Sequence, residues 1–429
     1  MGEINVGYLK NGMVLASDLT DPFGRYLIGR GTAIEARHIR IMKMWGVTSA
    51  DIEGMDQEHA VLEEFLNIDP DLLPKIQAHV DSLFSVPADG DDKHGALEEI
   101  KRLCVLRLAQ QIDFGALKLA KLMEVDKKKY YFKASKISQQ EKIIPPRDLV
   151  DNSVRLSSFP DIYHRIVSII NDTRGSAARL AEVVGNDPGL SATLLKIVNS
   201  PFYGLPSKVG SIIRAISLIG NNELSALVVG ISVIRYFKNI PPGIVEMKKF
   251  WMHSVAAGVF ARLLAHHKAG LSEDDLFIAG LLHDIGRLVI FKAFPKTAAF
   301  AIQTSLKRRV PLFQVEREVF NYDHAEVAGL LLEKWNFPKP LQQIIKCHHT
   351  PLDCQKPVEA AILLLADVLA SAMRFGSSGN YFIPPLDKKT WDVLELSPSV
   401  LMPCIQQFDR QVEEVLNIFH LDPDSDKKR

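Results

Sequence analysis

The sequence predicts a mainly α-helical protein, a two-lobed helical body preceded by a small β-containing N-terminal module. Three observations carry this. Strand and turn signals are confined to about the first fifty residues, apolar residues recur at helical spacing from Leu97 onward, and Pro145-Pro146 and Pro384-Pro385 punctuate the helical part. A chain of 429 residues has room for two or three domains, and 47% hydrophobic with 24% charged residues is ordinary globular composition.

Taken in order, Val14 to Leu19 and Tyr26 to Ile28 read as short strands around the turn Asp21-Pro22-Phe23-Gly24, with Gly29-Arg30-Gly31 marking the next turn. Glu35 to Trp45 has helical spacing and stops at Gly46. Gln57 to Val86 reads as helical up to the polar break Pro87 to Asp92, and a second helical stretch runs from about Leu97 to Met123. The run Asp126-Lys127-Lys128-Lys129 is a solvated helix end, and Tyr130, Tyr131 and Phe132 beside it leave a nucleic-acid reading as the alternative. Val154 to Asn239 reads as several short helices, with Asn199-Ser200-Pro201 at a helix end because Pro cannot continue one. From Ile212 to Gly230 the residues Ile212, Ile213, Ile216, Leu218, Ile219, Leu224, Leu227 and Val228 are expected to be core. Helices from Phe250 to about Phe375 follow, then a final segment from Asp387 to Leu421 and a polar tail.

Composition narrows the function. Lys+Arg and Asp+Glu balance at 51 each, so no electrostatic footprint for nucleic acid or an anionic membrane is visible. Cys104, Cys347, Cys354 and Cys404 form no CxxC pair, which suits a reducing compartment. There is no charged-then-apolar leader, and the apolar run near Leu224 to Ile234 is too short to span a bilayer. The expectation is a cytoplasmic protein without membrane insertion.

The chemistry lies in the polar residues that interrupt the apolar helices. Ala279 to Val289 reads as one buried helix broken only by His283-Asp284. His253 precedes it, and His324, His348-His349 and Asp367 follow, the last inside the apolar run Ala360 to Ala366 and beyond. A carboxylate buried in such a run costs several kcal/mol, on the order given by desolvation, unless it is paired or bound to metal. Imidazole and carboxylate together hold borderline divalent ions such as iron, manganese, zinc or nickel. For any one of these residues a cap or a satisfied core histidine is the plain alternative; several such interruptions favour a common metal pocket.

This ordered set resembles the HD-domain superfamily of metal-dependent phosphohydrolases. Ser158-Phe159-Pro160, Asn186-Asp187-Pro188-Gly189-Leu190, Leu194-Leu195, Val198-Asn199-Ser200, and Ile212 to Ile216 with Leu218-Ile219-Gly220 look more closely like an HDOD domain, the HD-related output domain of bacterial signalling proteins. The resemblance covers about Val154 to Phe382. Leu9 to Leu15 with Gly31-Thr32 and Trp45-Gly46-Val47 is similar to a small module found ahead of HD-type output domains, for which docking or dimerisation is the preferred role.

The resemblance implies an HD-like metal lobe at 246–383 and an N-terminal helical lobe at 151–245; the residues outside it are expected to form the module at 1–54, a helical linker region at 55–150 and a C-terminal segment at 384–429. It also implies that Asp284 bridges two ions, with His253, His283 and Asp367 completing one sphere and His324 with His348 or His349 the second. Asp284 and Arg287 would then be the catalytic pair, the arginine facing a phosphate; a surface arginine is the alternative. Two ions so placed can clamp a phosphoryl group and activate water. Three departures weigh against the HD-GYP phosphodiesterase branch. Thr350-Pro351-Leu352-Asp353 stands where Gly-Tyr-Pro would follow, Arg287 replaces a Lys, and Lys249 takes the place of a metal-ligating Glu. The expected function is therefore a bacterial regulatory output protein that acts through signalling-protein partners. A phosphohydrolase acting on a nucleotide or cyclic dinucleotide such as cyclic di-GMP is the alternative, and a homodimer is left open.

Overall fold

The computed structural model describes residues 2–6, 9–21, 25–45, 47, 49–54, 68–84, 95–113, 141–155, 169, 177–200, 203, 205, 207–237, 240 and 243–418. The chain forms two compact units, one of Met1–Val125, His267–Ala269 and Asp387–Gln407, the other of Asp126–His266, Gly270–Leu386 and Phe408–Arg429. Among the described residues the fold is mainly helical and its strands lie at the start of the chain, as the periodicity predicts. Among the described residues no helix is long and apolar enough to cross a membrane.

In the first unit β1 (Gly2–Asn5) is followed by the hairpin β2 (Leu19–Thr20) and β3 (Tyr26–Ile28), then α1 (Ala36–Met44) and β4 (Ser49–Ile52). β1 pairs antiparallel with β4 from Gly2↔Ile52 to Asn5↔Ser49, and β2 pairs with β3 through Leu19↔Ile28. The buried Asp21 side chain closes the hairpin by accepting from the Arg25 amide at 2.8 Å. Val14 and Leu15, expected in a strand, make only isolated bridges to Ala33 and Ile52. Ile4, Val6, Leu15, Ile34, Met42 and Ile52 form the small core. α2 (Leu73–Leu83) buries Ile76, Val80 and Leu83 and packs on α3 (Gly95–Asp113). α2 lies inside its predicted helical stretch and α3 begins two residues before its own; 55–67 and 114–140, including the lysine run and its aromatic neighbours, fall outside the described residues.

The second unit begins with α4 (Pro146–Arg155), α5 (Ala177–Gly185), α6 (Pro188–Val198), α7 (Ile212–Ile219) and α8 (Asn221–Tyr236). Asp187 caps α6 by accepting from the Leu190 amide at 2.9 Å, with Pro188 at the first turn where its missing N–H costs nothing. Asn199 ends that helix and pins the next loop: its amide donates to Leu195 O and Val209 O, and its carbonyl accepts from Val209 N at 2.6 Å. The stretch expected to be uniformly core is not. Gly220, at φ 90°, divides it into α7 and α8, and Ile213 and Leu218 are 57% and 42% exposed. At 3.6 residues per turn the short α7 buries only the Ile212, Ala215 and Ile216 face, and Ile213 and Leu218 fall on the other side.

The helices that bear the polar interruptions follow: α9 (Met247–Ala265), α10 (Glu273–Leu282), α11 (Ile285–Ala293), α12 (Pro295–Arg308), α13 (Leu312–Phe320), α14 (His324–Lys334), α15 (Lys339–Lys346) and α16 (Pro357–Ala372). α9 packs against α10 and α16, and α11 against α14. Ala279 to Val289 is two helices rather than one, because the chain breaks at His283 and Asp284, the latter at φ −96° and ψ 1°. Gly286 allows the closest approach at this break: a Cβ there would lie 2.0 Å from His324 O and 2.8 Å from Ala328 N. The start of α11 is thereby seated on the start of α14, both of which carry site residues.

Candidate metal centre

Each predicted ligand has a local reason for its position. His253 lies within α9 and Asp367 within α16, on faces those packed helices bury. His283 and Asp284 occupy the break before α11, His324 is the first residue of α14, and His348-His349 lies in the turn after α15. Asp323 caps α14 by accepting from the Glu326 amide at 3.0 Å, which fixes the helix start that presents His324.

The fold brings all seven together. His253 Nε2 is 3.1 Å from Asp367 Oδ1 and 3.5 Å from Asp284 Oδ2, and His283 Nε2 is 3.1 Å from the same Asp284 oxygen. The other oxygen of Asp284 is 3.0 Å from His324 Nε2. His349 Nε2 lies 3.0 Å from His324 Nε2, and the His348 and His349 rings are 3.9 Å apart. Three trios have ligand atoms within 4.8 Å of one another: His253, His283 and Asp284; His283, His348 and Asp367; and His324, His348 and His349. The two carboxylate oxygens of Asp284 thus face two different histidine sets. The site is closed: His283, His324 and His348 are fully buried, and Asp367, at 5% exposed, is the most open of the carboxylates and histidines other than His349.

The charges fit a cation. Burial alone would raise Asp284, yet Arg287, His283 and His324 hold it well below the ordinary carboxylate range. Asp367, against the effect of its burial, is brought down to about 2 by His253 and His283. Burial and the neighbouring imidazoles His283 and His324 push His348 down to about 3, and burial with His348 and His324 lowers His349 well below the usual histidine range. His283 and His324 move the other way. Burial disfavours their charged forms, but Asp284 raises His283, and Glu316 and Asp284 bring His324 up to about 9 despite Arg287 nearby.

Hydrogen bonding shows what the histidines lack. His283 Nδ1 meets Gly280 O at 2.7 Å and His348 Nδ1 meets Ile345 O at 2.7 Å, so both rings carry their proton on Nδ1 and turn Nε2 inward. Those two Nε2 atoms, together with His253 Nε2 and His349 Nδ1, are buried without a hydrogen-bond partner. His253 Nε2 and His283 Nε2 still lie 3.1 Å from a carboxylate oxygen, whereas an atom left without any partner, as His348 Nε2 and His349 Nδ1 are, costs about 1–3 kcal/mol. Nδ1 fixed by a carbonyl or carboxylate with Nε2 left free is how metal-binding histidines are oriented. The residues present therefore fit a divalent ion.

Arg287 is neither a surface residue nor turned toward an open cleft, although it was expected to face a phosphate. It is buried, its Nη1 is 3.1 Å from Asp284 and 2.5 Å from Ser378 Oγ, and its Nε is 3.2 Å from Glu316. Glu316 is the residue the sequence reading missed. It is 1% exposed, accepts from the His324 amide at 3.1 Å, meets His324 Nδ1 at 2.5 Å and is held down to about 2, against its burial, by His324 and Arg287. A signal existed: Leu312, Phe313, Glu316 and Phe320 share the buried face of α13, so this glutamate sits on an apolar stripe. Phe313 also stacks on His349 at 4.1 Å.

Residues 156–351 match the model of the HDOD domain, and over this region the chain carries an HDOD domain. Ser158-Phe159-Pro160 of the matched region lies outside the described residues. A crystal structure of an HDOD domain protein with unknown function from Geobacter sulfurreducens is similar in fold, with TM-score 0.52 and 22% identity over 65% of this chain and 98% of that one. A candidate phosphohydrolase from Shewanella amazonensis aligns with TM-score 0.50 and 22% identity, covering 64% and 97%. A candidate signal-transduction protein from Marinobacter aquaeolei gives 0.51 and 19%, covering 69% and 64%. By sequence the chain is 26% identical over 199 residues to an uncharacterised protein of Treponema pallidum, a match spanning 46% of this chain and 38% of the relative.

Proposed function

We propose that this chain is a bacterial, cytoplasmic regulatory output protein whose HDOD body binds a divalent metal and relays a signal through contacts with partner proteins. The observation that carries the reading is the closure of the cluster. The expected ligands converge, yet His283, His324 and His348 are fully buried, and the buried guanidinium of Arg287 is engaged by Asp284, Glu316 and Ser378. Such a site can lock helix ends together without admitting a nucleotide. His253, His283, Asp284 and Asp367 would hold iron, manganese, zinc or nickel, with His324, His348 and His349 beside them. When bound, the ion supplies charge neutralisation and Lewis acidity.

A second reading has one observation in its favour. The two oxygens of Asp284 face separate histidine sets, the disposition a phosphohydrolase would use around a phosphoryl group. The deciding experiment is metal analysis of the purified chain combined with hydrolysis assays on cyclic di-GMP and nucleoside phosphates. The regulatory reading expects bound metal and no metal-dependent turnover. Robust turnover would establish the phosphohydrolase.

A further inference from the structure

We infer that Cys347 and Cys354 are a redox site: they bridge reversibly on oxidation and so clasp the surface turn between α15 and α16. The inference does not depend on whether an ion is bound, and it rests on where the fold places the two sulfurs. α15 ends at Cys347, whose N–H donates to Gln343 O at 3.0 Å. The chain then folds back. Thr350 N donates to Cys347 O at 2.8 Å, Asp353 N to Thr350 O at 3.1 Å and Cys354 N to Pro351 O at 3.0 Å. These bonds build a short 3-10 turn, Pro351–Asp353, and return Cys354 to the last turn of α15, where its Sγ donates to Gln343 O at 3.7 Å. One carbonyl thus accepts from both cysteines, and the two thiols are in hydrogen-bond contact with each other.

A buried cysteine is ordinarily a small apolar filler. This pair differs in its access and its order. The turn lies at the surface, with Leu352 44% exposed and Cys347 half-buried, while Cys354 is buried. Cys104 and Cys404 belong to the other unit. An accessible thiol beside a buried one is the arrangement in which the first is attacked and the second resolves the product. The oxidant is a small-molecule disulfide. The Cys347 sulfur, as thiolate, attacks one sulfur of that disulfide, its S–S bond breaks and one small thiolate leaves. The Cys354 thiolate then attacks the Cys347 sulfur and displaces the second small thiolate. Two electrons pass from the cysteine pair to the reagent, and the two cysteine protons end on the two small thiols. Burial pushes the Cys347 thiol up to about 12, so the exchange is slow at neutral pH and follows the standing thiol balance rather than a burst of peroxide. In a reducing compartment such a bridge is transient.

The test uses the full chain, freed of metal with chelator and incubated for hours at mildly alkaline pH with glutathione disulfide. Intact mass and thiol titration should show two of the four thiols lost, with two hydrogens gone, and peptide mapping should give a Cys347–Cys354 link that dithiothreitol reverses. Cys354→Ser should stop at one glutathione on Cys347, and Cys347→Ser should take up none at Cys354. Hydrogen exchange of the Thr350, Asp353 and Cys354 amides should slow in the bridged protein. Four intact thiols, a bridge that forms only in denaturant, or unchanged amide exchange across the turn would overturn the inference. Should either serine variant fail to fold, the peptide map of the parent chain decides the question alone.

Discussion

Asp284→Ala separates a structural from a catalytic role for the cluster. The carboxylate is 2% exposed and lies 3.1 Å from Arg287 Nη1, 3.1 Å from His283 Nε2 and 3.0 Å from His324 Nε2. Its removal leaves the buried guanidinium with Glu316 and Ser378 only, and leaves three imidazoles facing one another without the anion between them. Breaking a buried pair by deleting one partner costs about 3–5 kcal/mol, because the remaining charge is uncompensated. In a body of this size each kcal/mol moves the melting temperature by about 2–4 °C, so the metal-free variant should melt roughly 6–20 °C below the parent. Differential scanning calorimetry in chelator measures this, and elemental analysis should show the variant free of bound ion. An unchanged melting temperature combined with loss of a metal-dependent hydrolysis would refute the reasoning, since the carboxylate would then serve chemistry and not the fold.

Other perturbations probe the same network. His324 is brought up to about 9 from its ordinary 6.5, so its contribution to the stability of the metal-free protein is fully present below pH 6.5 and is lost as pH rises through 9. That contribution is on the order of 3 kcal/mol, and chemical denaturation across this window should show the decline. A midpoint that is flat or rises there would refute the pairing with Glu316 and Asp284. Gly286→Ala should destabilise by about 1–3 kcal/mol or more, because the new methyl meets backbone atoms that cannot swing aside, and metal content should fall with it. Full stability and metal content in that variant would contradict the seating of α11 on α14. Glu141 accepts from the Lys296 and Thr297 amides at 3.3 and 2.9 Å and so caps α12 from outside the helix. Glu141→Ala should cost about 0.5–2 kcal/mol with metal stoichiometry unchanged, read by thermal melting and elemental analysis.

The cluster was legible because each ligand interrupts an apolar run. A polar side chain is conspicuous where its neighbours are Ala, Leu, Ile and Val, as at Asp367 in Ala360 to Ala370. Glu316 was not, since Glu316-Arg317-Glu318 reads as a solvated stretch and only the helical angle separates the buried Glu316 from its exposed neighbours. The break at His283-Asp284 carries no proline and no glycine of its own; it arises from tertiary packing, with Gly286 against α14. β1 and β4 were missed for a different reason. Each is four residues long with polar members, and they pair across more than forty residues, so no local pattern marks them. At Ile213 and Leu218 composition misled: a run of apolar residues longer than one helix face must expose part of itself.

The proposed regulatory reading would need a route from the cluster to neighbouring helices, and the packing of α4 offers a candidate. α4 packs against both α14 and α11, the two helices whose first turns adjoin His324 and Asp284. Arg147 pairs with Glu333 and Lys334 with Asp151 across that contact, and Tyr322 donates to Ile144 O at 3.2 Å just before α14 begins. The exposed ion pairs contribute little to stability. An ion held by His253, His283, Asp284 and Asp367 would bear on the start of α11, and through the Gly286 contact on the start of α14. The segment seated on those helices would respond at a distance from the ion without any ligand entering the site. On the proposed reading, occupancy of the cluster would be relayed as helix position, and hydrolysis would not be needed.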